Sequence, residues 1–224
     1  MAVTTVTAMG LMITALTPKY YKALAISLLI LAVAAVHVFV GSLLIELGKS
    51  GQVSDQQNHW LDAAEFISWQ NPDIFEAQGN YYRQQAFIVD EGLNSDNKAQ
   101  VQSLEKSLGY WTLAIGASSL WPYYHLSALD VEVLLNKPDK AIQARIENII
   151  KLAPNERGLD KSLLEIAFIA WPKLNKVQQS FMLEKLATTR GGVLKRVFTQ
   201  AKKMGNHSAI CVNLPWKKVR RLCR

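Results

Sequence analysis

The chain has 224 residues, a formal net charge of +7 and only two cysteines. The charge is not spread evenly: residues 195–224 hold nine basic side chains and no acidic one, so the rest sums to −2 (+7 less nine). A basic surface running along the whole chain, of the kind that grips nucleic acid, and a paired-cysteine metal motif are both excluded at this level.

Residues 1–21 read as an N-terminal tail, its first eighteen residues uncharged and rich in Thr, Ala and Met. The stretch from Ala23 to Ile45 is also charge-free and almost all Ala, Leu, Ile and Val, with Lys22 and Glu46 at its bounds. About 23 residues at 1.5 Å rise make a helix of about 35 Å, enough to cross a hydrocarbon core of about 30 Å with some tilt. A soluble core helix is the alternative, but core helices seldom run this long without a charge. A cleaved signal peptide fits poorly. Its apolar region is shorter and ends in a small-x-small site, whereas this run ends in Leu43-Leu44-Ile45-Glu46-Leu47. Residues 22–47 are therefore expected to be an uncleaved transmembrane signal-anchor. Lys19 and Lys22 precede it and only Lys49 closely follows, which favours an inside N-terminus and an outside C-terminal domain. His37 lies in the span with no acidic partner there, and reads as a neutral side chain facing a helix or a headgroup.

After the anchor every segment reads as helix, and no segment alternates at period two. Ser54 or Asp55 caps a helix carrying Trp60, Leu61, Ala64 and Ile67 that ends before Asn71-Pro72. A second runs from about Ile74 to Val89, and Gly92 to Asn97 form a loop. A third spans about Lys98 to Ser119 and stops at Trp121-Pro122. Tyr123 to Leu135 and Asp139 to Leu152 form an antiparallel pair about the turn Asn136-Lys137-Pro138, the second helix with an apolar stripe of Ala141, Ile142, Ile146, Ile149 and Ile150. Arg157 to Trp171 is ended by Pro172. Asn175 and Gln178 resemble a capping box opening Val177 to Thr188, and Gly191-Gly192 precede a last helix to about Met204. Pro122 and Pro154, each at a helix end, lie 32 positions apart, close to the tetratricopeptide period of about 34 residues. The expected fold is all-α: one N-terminal transmembrane helix, then an irregular tetratricopeptide-like stack of helical hairpins over residues 54–194, then a basic C-terminal segment over 195–224. Such a stack leaves a concave surface suited to holding another chain.

Catalytic constellations are missing from the pattern: no phosphate-cradling glycine loop, no H-E-x-x-H, no metal-ligand spacing among His59, His125 and His207. No catalytic, metal or cofactor residue is expected. His125, Asp130 and Glu132 are the nearest thing to a polar cluster, and their spacing is read as too wide to bring all three onto one helix face. Trp111, Trp121, Tyr123 and Tyr124 are candidates for a partner or glycan surface, since aromatic rings stack on sugars; helix packing is the competing role. Lys195, Arg196, Lys202, Lys203, Lys217, Lys218, Arg220 and Arg221 are candidates for a surface facing an anionic partner. Outside the membrane that means anionic headgroups or an acidic polysaccharide rather than nucleic acid, with a solvated cationic face as the alternative. Cys211 and Cys223 are a disulfide candidate that folds the basic end back on itself, two free thiols being the alternative. Asn206-His207-Ser208 is a glycosylation sequon, meaningful only in a eukaryotic secretory context that nothing else here supports.

The stretch Leu120-Trp-Pro-Tyr-Tyr, the turn and amphipathic helix to Leu152-Ala-Pro-Asn-Glu, and Ala167-Phe-Ile-Ala-Trp-Pro-Lys-Leu resemble the VpsP family of polysaccharide biosynthesis proteins. So do Gly192-Val-Leu-Lys-Arg, Ala209-Ile-Cys211 and Arg221-Leu-Cys223. The resemblance covers roughly residues 100–224, and residues 20–99 by layout alone. It implies a single-pass protein of the bacterial inner membrane with a periplasmic domain, acting in exopolysaccharide or capsule production with a protein partner or the glycan itself. It implies no catalytic residues. A non-enzymatic scaffold is the leading expectation. A polysaccharide-acting accessory enzyme, or a helical scaffold of a secretion or pilus machine, are the alternatives.

Overall fold

A computed structural model describes residues 18–49, 55–67, 71–88 and 97–224. The tail before Pro18, the cap at Ser54 and the loop over 92–96 lie outside the described residues. Among those described there are eleven α-helices and no strand: α1 (Pro18–Lys49), α2 (Asp55–Ile67), α3 (Pro72–Ile88), α4 (Asn97–Ala117), α5 (Pro122–Leu134), α6 (Asp139–Leu152), α7 (Arg157–Ile169), α8 (Lys176–Thr188), α9 (Gly191–Lys203), α10 (His207–Asn213) and α11 (Trp216–Val219). The protein is all-α.

Local chemistry sets most helix ends. Proline opens α3 and α5, where the first turn has no use for an N–H. The α8 capping box is complete: Gln178 N–H donates to Asn175 Oδ1 at 2.9 Å, and Asn175 N–H to Gln178 Oε1 at 3.4 Å. Asn136 (φ 50°) and Gly205 (φ 75°) supply the left-handed residue that ends α5 and α9. In each case the next N–H reaches back to the last turn, Lys137 to Glu132 O and Asn206 to Ala201 O, the Schellman arrangement.

Among the described residues one helix, α1, is long and apolar enough to cross a membrane. From Tyr20 to Phe39 it is exposed all round, His37 included, and burial begins at Val40 and Gly41. Its last two turns belong to the domain. Gly41, Ile45 and Gly48 lie on one helix face and are buried, Ile45 in a cluster with Ala64 and Ile74. At Gly48 a β-carbon would overlap the Leu61 side chain, so glycine permits the close approach of α1 and α2. Gln57 Nε2 donates to Gly48 O at 2.6 Å and ties down the helix end.

The remaining helices pair in order, α3 with α4, α5 with α6, α7 with α8 and α9 with α10. The last three hairpins start at Pro122, Arg157 and Gly191, spacings of 35 and 34 residues. One apolar cluster, including Leu129, Ile146, Leu164, Phe168, Leu186, Val197 and Ile210, runs from α5 to the C-terminus. A second joins α3, α4 and α5 around Trp111.

The expected last helix, α9, is followed by two further short ones. Ile210, Leu214 and Val219 enter the main core, and Cys211 is bonded to Cys223 with Cα atoms 5.8 Å apart. Lys195, expected to start a separate basic segment, lies in the second turn of α9. The basic end is thus a cap that closes the stack.

Candidate binding groove

Helices α3, α5, α7 and α9 stand on one side of the stack and enclose a groove of about 910 Å³. Each presents residues three, four or seven apart, the spacing that puts side chains on one helix face. These are Asn80 and Arg83 from α3, Ser127 and Asp130 from α5, Ser162, Glu165 and Ile169 from α7, and Lys195, Arg196 and Thr199 from α9.

The charges in the groove are not all matched. Arg83 Nε donates to Asp130 Oδ2 at 2.5 Å, a bridge between the first two walls. Lys195 and Arg196 are exposed and form no ion pair among the described residues. Glu165 Oε1 is buried without a hydrogen-bond partner among them. The hydroxyls of Ser127 and Ser162 and the amide of Asn80 supply further donors and acceptors between apolar Leu126, Ile166 and Ile169, and Thr199, whose hydroxyl donates to Lys195 O at 2.9 Å, adds an acceptor. Such a lining suits an extended polar chain bearing both hydroxyls and negative charge. No group of three or more His, Cys, Asp or Glu residues converges for a metal among the described residues.

Of the four aromatic residues expected at a partner surface, two are elsewhere. Trp111 (1% exposed) and Tyr124 (5%) are core residues, their rings 6.1 Å apart, and Trp111 fills the space left by Gly79. Burial and the nearby charges of Glu76 and Asp73 push the Tyr124 hydroxyl up to about 12. Trp121 and Tyr123 are surface residues with rings 5.4 Å apart. Tyr123 lies one turn before Leu126 and Ser127, and its hydroxyl rests against Gly158 at the start of α7, but neither it nor Trp121 lines the groove.

The cationic set divides similarly. Lys195 and Arg196 face the groove. Lys202, Lys203, Lys217, Arg220 and Arg221 are exposed outside it. Lys218 is not available to a partner: its ammonium caps α8, donating to Ala187 O and to Thr189 O, the latter at 2.9 Å. The sequon residue Asn206 is likewise committed, its Nδ2 donating to Phe168 O at 3.1 Å.

As their spacing predicts, the three do not share one face, but His125 and Glu132 do come together, because seven residues are two helical turns. Both are buried, and Arg145 of α6 joins them, with Nη2 2.7 Å from Glu132 Oε1 and Nη1 3.4 Å from His125 Nδ1. His125 Nε2 is 3.1 Å from Ser119 O. A carbonyl needs a donor and a guanidinium an acceptor, so the proton sits on Nε2. Asp130 points away to Arg83. The trio is therefore a packed hairpin bridge plus one groove residue.

Sequence reasoning missed Arg83, Glu165 and the hydroxyls of the groove. Their only signal was a polar face at helical spacing on every second helix, which any solvated surface also shows. No family model, curated protein or solved structure matches this chain.

Proposed function

We propose that the protein is a non-enzymatic, membrane-anchored scaffold of bacterial exopolysaccharide or capsule assembly, whose groove holds the glycan or an extended segment of a partner protein. The observation that carries the reading is the groove itself, four aligned helices with two free cations and an unpaired carboxylate oxygen in its walls. The 35- and 34-residue spacing of successive hairpins supports a tetratricopeptide-like scaffold. The polysaccharide assignment rests on the motifs resembling the VpsP family. In this reading α1 spans the inner membrane with its N-terminus in the cytoplasm, as the flanking lysines favour. The stack then lies in the periplasm, where the Cys211–Cys223 bond is at home. The non-enzymatic reading is supported by Arg83 holding Asp130, which leaves Glu165 without a second free carboxylate among the groove residues for acid–base work.

The test is surface polysaccharide, its amount and chain-length distribution, in cells lacking the gene and complemented by the full chain or by its Lys195→Glu/Arg196→Glu variant. Loss or shortening of the polymer, restored by the full chain and not by the folded variant, supports the reading. An unchanged polymer in the deleted cells removes the polysaccharide assignment, and full rescue by the variant removes the groove.

A further inference from the structure

Phe66 is 90% exposed at the end of α2, and packing contacts fix where that end lies. Gly48 of α1 meets Leu61 of α2, and Ile45 of α1 clusters with Ala64 of α2. α2 therefore runs back along α1, in a register that sets Phe66 opposite Leu43. Gln78 of α3 donates to Asp62 at 3.2 Å and Ser107 of α4 to the adjacent Gly79 O at 2.7 Å, while Tyr110 Oη donates to Glu65 at 3.3 Å. α4 therefore runs in the same direction as α2, and its last two turns run on past the level of Glu65. The residues that follow, Leu120 (78% exposed) and Trp121 (50%), project from the same end.

The membrane level follows from α1. Lys22 is the last charge before the apolar run, and about 20 residues at 1.5 Å fill about 30 Å of hydrocarbon. The far edge then falls near Ser42 and Leu43, where the domain begins to cover α1. Phe66 is level with that edge. Indole rings favour this depth, where the apolar ring meets lipid and the N–H meets water.

We propose that Phe66, Leu120 and Trp121 form an apolar edge seated in the face of the bilayer that α1 crosses, Phe66 at the headgroup boundary and Leu120 and Trp121 beyond it, so that the stack lies on the membrane instead of standing off it. The proposal rests on α1 being a membrane span. The seat is apolar rather than electrostatic, because Asp73 is exposed at the start of α3 on the same end. It is therefore expected on zwitterionic lipid.

The test uses the full chain with its disulfide intact and one added cysteine at a time: Phe66→Cys, Trp121→Cys, Val36→Cys within α1, and Val177→Cys on exposed α8. Each is spin-labelled and reconstituted in phosphatidylcholine nanodiscs. Power saturation then compares collisions with oxygen, which enters lipid, and with a water-soluble nickel chelate. Labels at 66 and 121 are expected to be shielded from nickel relative to 177, with the label at 36 dominated by oxygen. Labels at 66 and 121 as open to nickel as 177, with 36 still in lipid, overturn the seated edge and leave the anchor standing. A nickel-accessible label at 36 removes the anchor and the edge with it.

Discussion

Replacing Arg145 by methionine is expected to destabilise the stack more than any single surface change. Glu132 has a side chain only 7% exposed, and Arg145 only 20%. The guanidinium reaches the carboxylate three times, Nη2 to Oε1 at 2.7 Å and Nε to Oε1 and Oε2 at 3.2 and 3.3 Å. Removing it strands a buried carboxylate without its counter-charge, and also takes the donor from His125. Breaking a buried pair in this way costs about 3–5 kcal/mol, against a total stability of about 5–15 kcal/mol for a domain. The lost term is mostly the stranded charge. The double variant Arg145→Met/Glu132→Leu should therefore recover most of the loss, with a coupling energy of about 2 kcal/mol or more. Because the α5/α6 hairpin sits mid-stack and each hairpin leans on its neighbours, the single variant should also split the unfolding transition into an N-terminal and a C-terminal step. Urea titration of the full chain in detergent micelles, followed by far-ultraviolet circular dichroism, measures both. A single variant costing under about 1 kcal/mol, or a double variant no better than the single, would refute the buried-pair reasoning.

Three further outcomes are expected. Cys211→Ser should cost about 3 kcal/mol by loop-closure entropy and speed proteolysis after Gly205 while leaving the transition of α1–α4 in place; unchanged cleavage there would show that the bond holds nothing. Burial raises the Glu76 carboxyl above its ordinary value of 4.5, opposed by Lys49. The folded state thus holds the proton more tightly than the unfolded one, and stability falls as pH climbs through that raised value. Glu76→Gln should raise the melting temperature at pH 7–8 with the gain vanishing below about pH 4.5, and a gain of equal size at both pH values would contradict this. Gly79→Ala would place a β-carbon 2.8 Å from Trp111 Cε2. Overpacking of about 1–3 kcal/mol should outweigh the gain of up to about 1 kcal/mol in helix propensity, so a net stabilisation in thermal melts would show that Trp111 can move.

The helices were legible because their signals are local. Pro72, Pro122 and the Asn175–Gln178 capping box act within one turn of themselves, and so does the left-handed Asn136. The charge-free run after Lys22 likewise declares a helix able to span a membrane, whatever lies beyond it. The short helices α10 and α11 were not legible. Seven and four residues are too few for a periodic pattern, and what holds them is the distant core of α8 and α9 together with the disulfide.

The sequence by itself determined the all-α class, the apolar first helix, the order of the long helices with the one hairpin about Asn136, and the pairing of the two cysteines as a candidate. Only the tertiary structure decided what each polar or aromatic face meets. Trp111 and Trp121 look alike in the sequence, yet one fills the gap beside Gly79 and the other is open to the surface. Lys195 and Lys218 carry the same charge, yet one faces a groove and the other caps α8. Arg83 and Arg145 find their carboxylates on a neighbouring helix, at sequence separations of 47 and 13. The reason is one of range. Caps, turns and periodicity are decided within a turn or two of chain, whereas burial and pairing depend on which faces a stack of hairpins turns toward one another. That orientation is set jointly by every hairpin in the stack.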